Sequence, residues 1–63
     1  MKGAWIVENK AMWSSYVCSS LPVVFALNPE LKPHKNSIYR AGKWEDESLR
    51  VVRAEMFRPE DVR

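Results

Sequence analysis

The sequence contains only one cysteine and one histidine, the residues that most often cross-link a very small chain, bind a metal in it or give it reactive groups. A single cysteine cannot close an internal disulfide, and no Cys/His spacing fits a zinc site. Cys18 lies in an apolar context without an accompanying base, so it is predicted to be inert rather than nucleophilic. His34 alone cannot supply a histidine pair for a metal or haem. The sequence therefore predicts no enzyme activity, no catalytic residue, no cofactor and no metal site.

Neither sign of charge predominates, because ten basic residues are offset by eight acidic ones and the net charge is only +2. The longest run of like charge is Glu45-Asp46-Glu47, which is predicted to begin a helix rather than to bind a metal. A nucleic-acid module would show a basic stripe interleaved with aromatic residues. Nucleic acid is therefore excluded as a predicted partner, and a small-molecule substrate is not expected either.

Residues 11–27, AMWSSYVCSSLPVVFAL, contain no charge at all and divide the chain into three parts. Residues 1–10 form a mixed polar head, and residues 28–63 form a polar tail. As a helix the uncharged run would be about 25 Å long, which is the short limit for a membrane span. Lys10 and Lys32 bracket the run, and aromatic residues lie near both ends, where they favour the headgroup level. These features predict a transmembrane helix over residues 11–27, kinked at Pro22.

Small residues recur at helical spacing along this run, namely Ala11, Ser15, Cys18 and Ser19. Such a ridge lets another helix approach closely, and close packing drives helix association in lipid. The four residues are therefore predicted to face partner helices. The alternative is a serine-rich segment with no special face.

The tail begins with Asn28-Pro29, a pattern typical of a helix N-cap followed by proline at the first helical position. Residues 28–43 are predicted to form a turn and an extended crossing, with a bend at Gly42. A short amphipathic helix is predicted at about 45–57. Its narrow apolar stripe, Leu49, Val52 and Met56, suits docking on a larger surface. The predicted fold is thus an all-α membrane protein: one kinked transmembrane helix, an extended segment and a short amphipathic helix.

A cleavable leader is the main alternative for the uncharged run. A signal peptide needs a basic head and an apolar region of roughly 7–15 residues. Here the head carries Glu8, and the uncharged run is longer than that. A secreted peptide released after Ala26 is therefore disfavoured.

The stretch MWSSYVCSSLPVVFALNPELKPHKNSIYRAGKWEDESLR resembles the very short single-span accessory subunits of the membrane arm of mitochondrial complex I (NADH:ubiquinone oxidoreductase), of the plant type. The resemblance covers nearly the whole chain as an architecture, but no stretch is a diagnostic motif. It implies a non-catalytic subunit that stabilises or helps assemble the complex. The paired Cys-x9-Cys motifs of some accessory subunits are absent. An accessory subunit of the cytochrome bc1 complex or cytochrome oxidase, or a regulatory single-span micropeptide acting on a transporter, remain as alternatives.

The partners expected from this resemblance are other subunits of a large membrane complex and the lipid bilayer, at the mitochondrial inner membrane. Basic residues near the predicted span are more numerous on its tail side, where Lys32, Lys35, Arg40 and Lys43 follow Leu27. The head offers Lys2, Lys10 and the terminal amine. The excess of basic residues favours a tail on the matrix side.

Overall fold

Four strands and two α-helices make up residues 3–57, the part of the chain that the computed structural model describes. In chain order they are β1 (Trp5–Asn9), β2 (Ser14–Cys18), α1 (Leu21–Leu27), α2 (Lys35–Ala41), β3 (Lys43–Glu45) and β4 (Leu49–Arg53). Short 3-10 helices occupy Pro29–His34 and Ala54–Met56. The strands form one antiparallel sheet in the order β2-β1-β4-β3. The sheet thus consists of two hairpins, β1–β2 and β3–β4, which are joined by the pairing of β1 with β4.

The central strands β1 and β4 have the sequences WIVEN and LRVVR, in which apolar side chains alternate onto the face that carries the helices. Val7 of β1 lies directly opposite Val51 of β4, and both are fully buried. β-branched side chains fit such a half-covered, pleated surface well. Complete burial of each valine contributes roughly 1.5–3 kcal/mol to folding. On the other face, Glu8 lies opposite Arg50, with 3.9 Å between Oε1 and Nη1.

The turn of the β1–β2 hairpin is shaped by side-chain chemistry rather than by glycine. The side-chain oxygen of Asn9 accepts a hydrogen bond from the backbone N–H of Met12 at 3.0 Å. Trp13 then adopts φ 53°, the left-handed conformation that glycine and asparagine usually occupy. For a residue with a bulky side chain this conformation costs roughly 1–2 kcal/mol.

The second hairpin turn is built around Asp46, whose Oδ1 accepts the backbone N–H groups of Ser48 and Leu49 at 2.8 and 2.7 Å. Lys10 connects the two turns. Its backbone N–H donates to the carbonyl of Ser48 at 2.8 Å, and its ammonium donates to the Asp46 carbonyl at 2.8 Å and to the Glu45 carboxylate. These contacts hold the two hairpins in register at one end of the sheet.

α1 starts after Ser20, which is extended, and carries Pro22 in its first turn, where a missing N–H is harmless. Leu21, Val24 and Phe25 recur at helical spacing and bury one face against β1 and β2. The middle of the core is completed by Leu31 of the first 3-10 helix and Ile38 of α2, both fully buried.

α2 ends at Gly42, which has φ 74° and donates its N–H to the Ile38 carbonyl at 2.8 Å. A left-handed glycine after the last turn is a common helix terminator because it lacks a Cβ. The bend predicted at Gly42 is therefore confirmed.

The predicted all-α membrane fold is wrong, because the structure contains a four-stranded antiparallel sheet with two short helices. Residues 11–27 form a hairpin turn, strand β2 and α1 instead of one helix. Each α-helix has seven residues, about 10 Å of length, against the ~30 Å of a hydrocarbon core. None of the helices within residues 3–57 is long and apolar enough to span a membrane. Pro22 does not kink a helix; it helps to start one.

The predicted tail is also wrong in its secondary structure. The expected extended crossing over residues 28–43 contains the 3-10 helix Pro29–His34 and α2. Asn28 and Pro29 do occupy the N-cap and first-turn positions predicted for them, although the helix is of the 3-10 type. The amphipathic helix predicted at about 45–57 is replaced by the end of β3, a turn, β4 and a 3-10 turn. Residues 1–2 of the predicted head and 58–63 of the predicted tail lie outside the described part.

Candidate functional site

A cleft of about 800 Å³ lies between α1 and α2, on the helix-covered side of the sheet. Its size falls within the range of ligand-binding clefts, roughly 300–1,000 Å³. The apolar residues along it are Trp5, Leu21, Pro22, Phe25 and Ala26. The polar and amphipathic residues along it are Ser20, Lys32, Lys35, Asn36 and Tyr39, with Gly3 at one end.

The floor of the cleft is rigid because its residues also belong to the core. Trp5, Leu21 and Phe25 are each at least 93% buried and pack in the same cluster as Val7 and Val51. A surface made by core side chains keeps its shape without a ligand, which lowers the entropic cost of binding. The cleft is therefore preformed.

The rim of the cleft is positively charged. Lys32 lies in the 3-10 helix and Lys35 begins α2, and both side chains are exposed. Among the described residues that line the cleft there is no aspartate or glutamate. An acidic group at the rim therefore meets two ammonium groups, and none of the described lining residues is a carboxylate that would repel it.

Arg53 of β4 contacts two residues of the cleft, Trp5 and Tyr39. Its guanidinium lies over the Trp5 ring, 5.6 Å from the ring centre, and donates to the Tyr39 carbonyl at 3.4 Å. Glu55 binds the same guanidinium at 3.2 Å. A cation over an indole face contributes ~0.5–1 kcal/mol at an exposed site. Arg53 thereby fixes α2 relative to the start of β1.

The groups that could carry chemistry are not assembled into a reactive centre in residues 3–57. Cys18 is buried in the core, and that burial raises the pKa of its thiol, which disfavours the reactive thiolate. His34 stacks on Trp44 with 4.8 Å between ring centres and 28° between planes. No group of three or more His, Cys, Asp or Glu side chains within these residues has the geometry of a metal site.

The four residues predicted to pack against partner helices do not share a helix face. Ala11 lies in the first hairpin turn and Ser19 in the loop before α1, both exposed. Ser15 and Cys18 belong to β2, where Ser15 is exposed and Cys18 is buried in the core. The structure therefore gives these small residues four different environments.

The predicted docking stripe is dispersed in the same way. Leu49 and Val52 are both buried in β4, but they point to opposite faces of the sheet because they are three positions apart in a strand. Met56 lies in the last 3-10 turn and is 44% exposed. Leu49 contributes to the chain's own core.

Sequence reasoning missed the cleft residues, although a signal for them was present. Lys32, Lys35 and Tyr39 are spaced three and four positions apart, which is the spacing of one face of a helix. That face exists only if the segment is helical, and residues 28–43 were predicted to be extended. Phe25 and Leu21 fall within the predicted membrane span, so their side chains were expected to face lipid or partner helices and not a cleft.

Comparison with known proteins adds no assignment to this geometry. No protein-family model matches the chain, and no curated protein or solved structure is significantly similar to it.

Proposed function

We propose that the chain is a small, non-catalytic binding module whose cleft between α1 and α2 holds an acidic, partly apolar peptide segment of a partner protein. The observation that carries the proposal is the combination of a preformed apolar floor with a lysine rim.

Charge complementarity favours an acidic occupant. Exposed ion pairs contribute only ~0.2–1 kcal/mol each, so Lys32 and Lys35 mainly select the sign of the ligand and speed its approach. The apolar floor supplies most of the affinity, because burying one Leu or Phe side chain of the ligand contributes roughly 1.5–3 kcal/mol. We therefore expect weak, salt-sensitive binding.

The open shape of the cleft favours a peptide over an enclosed small molecule. Small-molecule sites bury most of their ligand, whereas Pro22, Ala26, Asn36 and Tyr39 along this cleft are exposed side chains. The flanking helices are each about 10 Å long, enough to seat one or two anchor side chains. A segment of a larger partner thus fits better than a ligand that needs to be enclosed.

Two synthetic amphipathic peptides test this proposal. Both carry Leu and Phe on one face; one has Glu and the other Lys on the opposite face. In NMR titrations of the ¹⁵N-labelled chain, the acidic peptide should shift the amide signals of Ala26, Lys32, Lys35 and Asn36, and added salt should raise its dissociation constant. The basic peptide, which two lysines repel, should bind at least about tenfold more weakly. Equal binding of both peptides, or shifts confined to another surface, would contradict the proposal.

A matched pair of variants locates the binding. Ala26→Trp fills the cleft, whereas Ala41→Trp makes the same exchange at an exposed position of α2 outside it. The first should abolish binding of the acidic peptide and the second should preserve it. Binding of decanoate, a small amphipathic carboxylate, without binding of the acidic peptide would instead assign the cleft to a small ligand.

A more specific proposal is that this binding module serves as an accessory subunit of mitochondrial complex I. The membrane span that motivated it does not occur in residues 3–57, so its supporting feature is now the cleft, which suits docking on an acidic segment of a larger assembly. The same feature suits another respiratory complex or a transporter equally. Blue-native gels followed by mass spectrometry would test it: absence of the chain from every respiratory complex would end this assignment.

A further inference from the structure

The uncharged run of residues 11–27 has a role in the fold that the cleft does not explain. It supplies the first hairpin turn, strand β2 and α1, which lie along one side of the molecule. Eight large apolar residues of the described part are exposed, and six of them belong to this run: Met12, Trp13, Tyr16, Val17, Val23 and Leu27. Together the turn, β2 and the outer flank of α1 form a surface that we name the uncharged edge.

β2 is an edge strand, since it pairs with β1 on one side only. Exposed edges are usually protected against further pairing by charged residues, proline or very short length. The other edge follows that rule, because β3 has three residues and two of them, Lys43 and Glu45, are charged. β2 has five residues, SSYVC, with neither charge nor proline.

The flank of α1 beside this edge is apolar too. Pro22 and Ala26 face the cleft and therefore α2. Val23 and Leu27 are four positions apart and lie on the flank that points away from the cleft; they are 38% and 59% exposed. Because α1 contacts β1 and β2 while α2 contacts β3, the flank opposite the cleft faces the β2 edge.

We infer that two copies of the chain associate through the uncharged edge by antiparallel pairing of β2 with β2. Pairing centred on Tyr16 places Ser15 of each copy opposite Val17 of the other. The two-fold axis is then perpendicular to the sheet, so the two four-stranded sheets become one and both helix layers lie on the same face.

Sheet geometry brings the helices to contact distance in this arrangement. Each α1 lies over the boundary between β1 and β2, one strand spacing from the axis. Strands are ~4.8 Å apart, so the two α1 axes would be roughly 10 Å apart, against the 8–10 Å of packed helices. Val23 and Leu27 of both copies would meet there.

The composition of the edge favours a second copy over an unrelated partner. In a two-fold interface each charge comes close to its own copy, so a surface without charge avoids like-charge repulsion. A stable dimer buries ~800 Å² per partner, about a fifth of the 4423 Å² surface of this chain. A strand pair alone provides less, but the α1 flank and the hairpin turn extend the contact. A chain of this size also gains a larger core by association.

Sedimentation velocity over a range of protein concentrations tests the inference. The full chain should sediment at twice its 7.4 kDa monomer mass and dissociate on dilution. Val17→Lys introduces a charge beside the two-fold axis, opposite Ser15 of the other copy, and should raise the dimer dissociation constant by at least about tenfold. Ala41→Lys, at an exposed position of α2 outside the cleft, should leave it within about twofold. Circular dichroism should confirm that both variants remain folded.

The register has its own measurement. Ser15→Cys and Val17→Cys chains, mixed and oxidised, should form a disulfide-linked heterodimer faster than either chain links to itself. A wild-type chain that stays monomeric at every concentration, a Val17→Lys chain that dimerises normally, or cross-linking without preference for the mixture would each overturn the inference. None of these outcomes depends on whether the cleft binds a peptide.

Discussion

The side-chain amide of Asn28 donates a hydrogen bond to the Tyr16 hydroxyl at 2.8 Å, and so ties the end of α1 to the edge strand β2. The same amide also donates to the Val24 carbonyl at 3.1 Å, in the last turn of α1. Asn28 is only 8% exposed, so its polar atoms depend on these protein partners. One buried amide thereby closes a helix and anchors that helix to the sheet.

Tyr16→Phe tests the contribution of this contact. It removes the hydroxyl and leaves the Asn28 amide with one partner fewer, and a typical hydrogen bond of this kind contributes about 0.5–1.5 kcal/mol. We expect the free energy of unfolding to fall by that amount in urea denaturation at a protein concentration low enough to keep the chain monomeric. Tyr39→Phe, at a side chain that is 69% exposed, is the control and should change little. Equal effects of the two substitutions would contradict the role assigned to the contact.

Leu31 and Leu27 offer a matched comparison of the core. Leu31 is fully buried, whereas Leu27 is 59% exposed. Leu31→Ala should destabilise the fold by about 2–5 kcal/mol, enough to unfold much of a small domain. Leu27→Ala should stay within about 0.5 kcal/mol in the monomer. Thermal unfolding followed by circular dichroism separates the two. If residues 11–27 formed a membrane span, Leu27→Ala would be the more destabilising of the two substitutions, because Leu27 lies inside that span and Leu31 outside it.

Gly42 is expected to resist substitution more strongly than Gly3. Both have positive φ, at 74° and 81°, so alanine is strained at either position. A Cβ on Gly42 would also lie 2.9 Å from the Met56 sulfur, whereas nothing lies within 4 Å at Gly3. Gly42→Ala should therefore lower the free energy of unfolding by about 1–2 kcal/mol, and Gly3→Ala by less. Met56→Ala should restore part of the loss in the double variant, because it removes the sulfur that the new Cβ would contact. No recovery in the double variant would contradict this contribution of Met56.

Asp46 should make stability depend on pH in the acid range. The backbone N–H groups of Leu49 and Ser48 bind its carboxylate and lower its pKa. A group whose pKa is lower in the folded state stabilises the fold fully above its unfolded pKa, about 3.9, and loses that contribution as pH falls through the folded pKa. Urea denaturation between pH 6 and pH 2 should show this decline. Asp46→Asn keeps the acceptor oxygen and should flatten the dependence, while Glu47→Gln should preserve it.

The acidic turn shows why the local pattern misled the prediction. Glu45, Asp46 and Glu47 favour the first turn of a helix because a carboxylate there accepts free backbone N–H groups. Asp46 does bind two successive N–H groups, of Ser48 and Leu49, but in a hairpin turn. Capping and Asx turns use the same bonds, so the local sequence does not distinguish them. The pairing of β4 with β1, distant in sequence, decides between them.

Other parts of the fold were within reach of the sequence. The alternation in WIVEN and LRVVR indicates two half-buried strands, and the starting positions of Asn28 and Pro29 were predicted correctly. The missing signal was at the turns. A hairpin usually carries glycine or asparagine in the left-handed position, but here that position is Trp13. Because no glycine or asparagine marks that position, the uncharged run appeared continuous and long enough for a membrane span.

The pairing of β1 with β4 also sets the order of events during synthesis. Trp5 opens β1 and Leu49 opens β4, so the neighbour that buries Val7 is translated 44 positions later. At ~5–20 residues per second, the ribosome needs roughly two to nine seconds for that distance. Until β4 has been made, one edge of β1 has no strand to pair with, and Trp5 and Val7 lack one of their covering partners. A chain truncated before Leu49 lacks this strand altogether, and it should therefore be cleaved readily by proteases.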